Sequence, residues 1–171
     1  MQDSIILLET SEATEEKAPA QRSIDEIPVD KVMAAFRQAC RGRGTMMRDD
    51  LLKAVSERLG YQRLGKVIAE ALKGHLRAAI RRKIIGAEGQ AVFAETTWMD
   101  EYTRDELVDT IRSVMRQGCN YDREDVIAAV AAHLGFARIT ATVRDPIKSA
   151  INAAIRRGLL DYDGPTVWRK E

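Results

Sequence analysis

The octet AAIRRKII (residues 78–85) returns as AAIRRGLL (residues 153–160), 75 positions later. Sliding the sequence by that offset aligns residues 28–95 with residues 103–170 without a gap. Identical pairs run through the alignment: Arg37/Arg112, Arg48/Arg123, Asp50/Asp125, Val55/Val130, Leu59/Leu134, Gly60/Gly135, Arg63/Arg138, Lys73/Lys148 and Gly89/Gly164. Most other pairs keep their polarity, as in Phe36/Ile111 and Phe93/Trp168. A gapless match of this length marks a duplicated unit, so whatever one unit folds into, the chain folds into twice.

Within a unit the apolar spacing first reads as helix. Val32, Met33, Phe36 and Ala39/Cys40 form one stripe, and Leu107, Val108, Ile111, Val114 and Met115 form its counterpart, which stops at Gly118. A short extended piece follows at residues 45–47 or 120–121. Asp122, with Asp125 three residues on, reads as the N-cap of a second helix that ends at Leu-Gly in both units. In the second unit Asp145 reads as the N-cap and Pro146 as the first residue of a third helix that closes at Gly158. Its stripe is Ile147, Ala150, Ile151, Ala154 and Ile155; the first unit lacks the proline and is expected to start a turn earlier, at Leu64. Two β-prone runs then flank a turn, with Asp163-Gly164 a strong hairpin signal.

Three helices, a short strand after the first and a hairpin after the third is the order of a winged-helix domain, and each unit resembles one. The stretch LGFARITATVRDPIKSAINAAIRRGLL…DGPTVWR (residues 134–169) resembles in particular the small C-terminal domain of unknown function at the end of large prokaryotic helicase–nuclease proteins. Gly135, Arg138, Arg156, Arg157 and Trp168 carry the likeness in unit two, and Gly60, Arg63, Arg81, Arg82 and Phe93 in unit one, over roughly 45 residues of each. The resemblance implies a helper module of nucleic-acid machinery and brings no catalytic residues. Without a helicase or nuclease motif of its own, this chain is either a fragment of such a protein or acts in trans. The expected fold is therefore mainly α (α+β): two tandem winged-helix domains at residues 28–95 and 103–171, each three helices plus a hairpin wing. Residues 96–102 form a short linker, with Trp98 and Tyr102 expected to pack between the domains. Residues 1–27, rich in Glu, Ala and Ser, read as disordered or as a tether, in which SIILLE pairs as a strand, docks as a short anchor or is a stray apolar run.

Charge then separates the units. Residues 28–95 hold fourteen basic and seven acidic side chains, whereas residues 103–171 hold eleven and ten. Residues 1–27 hold two basic and seven acidic. Only unit one has the cationic excess that phosphate contacts require. In a winged helix the third helix enters the major groove, and here its exposed side is expected to offer Lys66, Lys73, His75 and Arg77. Lys73 or Arg77 suits guanine edges; Lys66, Arg63 in the preceding turn and Arg48 at the start of helix two suit phosphates. The pairs Arg81-Arg82 and Arg156-Arg157 recur in the near-neutral unit as well, so they are expected to cap their own helix ends. Asp145, Asp161 and Asp163 would repel phosphate, leaving unit two as a protein-contact surface, a self-association surface or a buttress.

Other chemistries find little support. His75 and His133 sit at different places in the repeat without an acidic or nucleophilic partner, and the acids of helix two do not form a nuclease constellation. The GRG at residues 42–44 is a helix stop rather than a phosphate loop. No catalytic residue, cofactor or metal is expected. Cys40 and Cys119 have no CxxC partner, and no apolar run approaches the ~18 residues of a membrane span. A reducing cytoplasm and no membrane partner are expected. The leading functional expectation is a non-catalytic module binding double-stranded DNA through repeat one, as a regulator or an accessory of a helicase, nuclease or defence system. The rivals are a protein-interaction scaffold, which the near-neutral second unit favours, and an RNA binder using the same basic face.

Overall fold

The structure is a computed structural model that describes residues 22–171; the expected SIILLE anchor and the tether up to residue 21 lie outside them. The elements are α1 (Val29–Cys40), β1 (Met46–Met47), α2 (Arg48–Arg58), α3 (Lys66–Arg81), β2 (Ile85–Glu88), β3 (Ala91–Ala94), α4 (Arg104–Val114), β4 (Asn120–Asp122), α5 (Arg123–His133), α6 (Ala141–Arg156), β5 (Leu160–Asp163) and β6 (Thr166–Arg169). The fold is mixed α+β, with two three-stranded antiparallel sheets ordered β1-β3-β2 and β4-β6-β5. The offset of 75 holds to the residue for α2/α5, α3/α6 and both hairpins. It holds in sheet register too, since Met46 pairs with Val92 and Tyr121 with Val167.

Each unit closes around its own aliphatic core. Val32, Met33, Phe36, Leu51, Val55, Leu72, Leu76, Ile85 and Val92 are buried in the first. Leu107, Ile111, Val126, Val130, Ile147, Ile151, Leu160 and Val167 are buried at matching depth in the second. Each such side chain stabilises the fold by about 1.5–3 kcal/mol. Both hairpins turn on two residues, Gly89-Gln90 and Gly164-Pro165, with the glycines at φ +62 and +58. A left-handed glycine followed by proline suits a type II′ turn, which matches the twist of the flanking strands.

The repeat begins earlier than the alignment at residue 28 implies. A one-turn 3-10 helix, Ile24–Glu26, precedes α1, and its counterpart Met99–Glu101 precedes α4. Ile24 and Met99 are 3 % and 2 % exposed, so residues 22–27 belong to the first core rather than to a tether. The identical pairs Asp25/Asp100 and Glu26/Glu101 carry the same offset of 75. Counted this way, residues 22–95 hold fifteen basic and nine acidic side chains, and residues 97–171 hold eleven and twelve.

Two expected helix starts are corrected. α6 begins at Ala141, with Thr140 as the N-cap and Pro146 inside the helix; α3 begins at Lys66 rather than Leu64. Starting α6 at the proline would leave Val143 outside the helix, whereas one further turn buries it against the core beside Ile147. That burial outweighs the missing proline N–H, which leaves the Thr142 carbonyl without its helical partner. Asp122 does cap α5, accepting from the Glu124 amide at 2.8 Å. Thr103 and Glu106 form a reciprocal capping box on α4.

The two units are clamped together by Arg37. Its guanidinium donates to the Leu134 carbonyl (2.9 and 2.8 Å), the Thr96 carbonyl (2.7 Å) and the Tyr102 hydroxyl (2.9 Å), and it lies 4.1 Å from the centre of the Phe136 ring. Thr96 and Tyr102 in turn donate to the Lys83 and Arg82 carbonyls at the end of α3 (2.7 and 3.0 Å). Gly135, at φ +77, lets the chain approach: a Cβ there would lie 2.8 Å from the Met33 carbonyl oxygen. Tyr102 is thus buried between the units as expected, but Trp98 is 55 % exposed.

Arg82 and Arg157 stand at the C-cap positions of α3 and α6, with Arg81 and Arg156 in the last turns, but the side chains of the two C-cap arginines reach other helices. Arg82 donates to the His133 carbonyl of α5 across the junction (3.1 Å), and Arg157 pairs with Asp105 on α4 (2.6 Å). The last-turn carbonyls of α3 are met by the amides of Arg82, Lys83 and Ile84, and the hydroxyls of the connecting segment meet the two carbonyls that follow.

Candidate nucleic-acid interface

One edge of α3 is free of the core. Lys66, Glu70, Lys73, Arg77 and Arg81 follow one another at three- and four-residue spacing and are all exposed. Val67 beside them is 78 % exposed. The only ion pair along this edge among the described residues joins Lys73 to Glu70 (3.0 Å), both well exposed. Lys66, Lys73 and Arg77 thus share one side of the helix, and Arg63 is exposed in the turn before it. Lys66 occupies the first helical position, where the amide ends favour anions, and the first turn of α3 contains no acid. The lysine is therefore not placed there to stabilise the helix.

His75 departs from this group. It is half-buried, at the position that the fully buried Ala150 holds in unit two, so it belongs to the inner side of α3 rather than to the exposed edge. Burial lowers its pKa first, partly offset by Asp25 of the preceding 3-10 turn and reinforced by Arg82. A group held toward neutrality contributes little to binding a polyanion.

Arg48, the first residue of α2, is half-buried, and its Nε is buried without a hydrogen-bond partner. Its backbone amide donates to the Gln90 carbonyl (3.0 Å), which ties the start of α2 to the hairpin turn. The hairpin itself (residues 85–94) contains no lysine or arginine and one acid, Glu88. Cationic contact in unit one thus falls to α3, the turn before it and the start of α2.

In unit two the same edge reads Ala141, Asp145, Lys148, Asn152 and Arg156. Arg123 donates to Asn152 Oδ1 (3.2 Å) and lies 5.5 Å from the Tyr162 ring centre, and Arg144 pairs with Glu124 (3.3 Å). The edge itself keeps two exposed cations, Lys148 and Arg156, against the four of unit one.

Between the units lies a groove of about 1040 Å³, lined by Arg41, Thr96, Trp98, Phe136, Arg138 and Asp145 among others. Arg41 stacks 5.4 Å from the Trp98 ring centre. This groove is not legible in the sequence, because it is made by the docking of two units. Neither cysteine is placed for chemistry: Cys40 is buried, which raises its thiol to about 11, and Cys119 is exposed. No group of three or more metal-binding side chains occurs, and no helix is long and apolar enough to cross a membrane, among the described residues.

No protein-family profile, no curated protein and no solved structure matches the chain.

Proposed function

We propose that the chain is a non-catalytic module of two tandem winged helices that binds double-stranded DNA through unit one, with unit two holding it rigidly. The observation that carries this reading is the difference between two superposable edges. Unit one places Lys66, Lys73 and Arg77 where unit two has Ala141, Lys148 and Asn152. Lys66 stands at a helix end where it opposes the dipole, which favours a role in binding over one in folding. With no cation on the hairpin, the third helix supplies the main contacts, Lys73 and Arg77 at base edges and Arg63 and Lys66 at phosphates. The resemblance to the C-terminal domain of helicase–nuclease proteins supports an accessory or regulatory place beside such machinery, in a defence system or elsewhere.

A second reading has its own observation. The exposed Trp98 in the groove between the units is the kind of aromatic anchor that protein interfaces use, which favours a scaffold contact there.

Titration of a fluorescent duplex and its single strand at two salt concentrations tests the first reading, with Lys73→Ala/Arg77→Ala beside the parent. Duplex binding should fall steeply with salt, and the variant should lose roughly tenfold or more in affinity. Absence of duplex binding near physiological salt overturns the reading. Preference for single strands or A-form RNA replaces it with the RNA alternative.

A further inference from the structure

The two copies of one arginine meet opposite surroundings. Arg123 in unit two has its own acceptors: Asn152 Oδ1 at 3.2 Å and the Tyr162 ring at 5.5 Å. In unit one the arginine is kept as Arg48, but the residues at those two places are Arg77 and Ala87. Neither side chain can accept a hydrogen bond from a guanidinium. Nε is buried and unpartnered in both arginines, but where Arg123 reaches Asn152 through its terminal guanidinium nitrogen, Arg48 has no ion pair or side-chain acceptor among the described residues. The cap differs in the same sense. Asp122 accepts the Glu124 amide at the start of α5, whereas Met47 at the start of α2 offers no acceptor. Three substitutions around one arginine each remove an acceptor, and one of them adds a second cation.

A half-buried guanidinium without a protein acceptor is open to one from outside. Two guanidiniums at neighbouring places, each with a planar fork of donors, suit a tetrahedral oxyanion.

We propose that Arg48 and Arg77 form a clamp for one phosphate group, offered by the DNA backbone, at a place that unit two has closed with Asn152 and Tyr162. This rests on the reading that unit one binds duplex DNA, and it changes the part assigned to Arg77 from base reader to backbone anchor. Arg77→Ala removes one phosphate contact. Arg77→Asn removes two, because the new amide accepts from Arg48 as Asn152 accepts from Arg123.

The test uses the full chain and its variants Arg77→Ala, Arg77→Asn and Arg48→Ala/Arg77→Ala, all read for the slope of duplex affinity against salt. The slope should weaken by about one contact in Arg77→Ala, and by about two in both Arg77→Asn and the double variant, at ~0.9 per contact. Equal slopes for Arg77→Ala and Arg77→Asn overturn the clamp while leaving DNA binding intact. A second arm titrates the same proteins with inorganic phosphate and follows the Arg48 Nε–Hε resonance by NMR. It should move in the parent and stay fixed in Arg77→Asn; no movement in the parent also overturns the clamp. Movement in a parent that binds no duplex keeps the phosphate site and removes the DNA reading.

Discussion

Arg37 and Arg112 are the same residue at the same place in two copies of one fold. Arg37 is buried in a junction where it donates to two carbonyls and a hydroxyl. Arg112 is exposed, and its side chain is free of any such network. The third helices differ as well: α3 exposes Lys66, Lys73, Arg77 and Arg81 along one edge, whereas the matching edge of α6 exposes only Lys148 and Arg156 as cations. Duplication preserves the fold because the apolar positions and left-handed glycines are kept in register. It frees the polar positions, so that the two copies differ in the charge they expose.

The largest effect should come from breaking the junction. Arg37→Ala leaves the Leu134 and Thr96 carbonyls unsatisfied and should reduce stability by at least about 3 kcal/mol in urea unfolding. Arg112→Ala should stay within about 0.5 kcal/mol of the parent. Comparable losses for both would mean that the junction does not hold the units together.

Acid should also act at the junction. Burial, followed by the nearby Arg82, lowers His133 to about 4 from an ordinary 6.5. The unfolded chain therefore takes up a proton that the folded chain refuses. Stability is intact above pH 6.5 and is lost as pH falls toward about 4, by roughly 2 kcal/mol from this group. His133→Gln should flatten the part of the urea-midpoint curve lying in that window.

A smaller difference sits in the cores. Ser56 Oγ is buried without a partner where unit two has Ala131. Ser56→Ala should therefore raise stability by about 1 kcal/mol, and Ala131→Ser should lower it by a similar amount. The smallest effect concerns Lys83, which holds φ +56 where unit two has Gly158 at φ +72. Lys83→Gly relieves the left-handed strain but removes the exposed ion pair with Glu106. The melting temperature should move by no more than a few degrees.

Much of this was legible before any coordinates. The offset of 75, the Leu-Gly helix ends, the hairpins and the charge difference all follow from residues whose roles are local. The first turn of each unit was legible too, since Asp25-Glu26 and Asp100-Glu101 keep the offset, but they lie in a stretch whose composition reads as tail. The alignment also places His75 opposite Ala150, on the apolar stripe, which corrects its assignment to the exposed edge. The burial of Arg37 was not legible, because the identical Arg112 is exposed and the difference is made by docking between units. The exposure of Trp98 and the groove beside it are hidden for the same reason, and so is the His133 carbonyl that Arg82 reaches.

The central claim is that the exposed edge of α3 binds duplex DNA and the matching edge of α6 does not. Its most direct test measures duplex affinity for Lys73→Ala/Arg77→Ala and for Lys148→Ala/Asn152→Ala, the same two positions in each unit. The first variant should lose roughly tenfold or more and about two contacts' worth of salt dependence, while the second should match the parent. Equal losses in both, or none in either, would contradict the account.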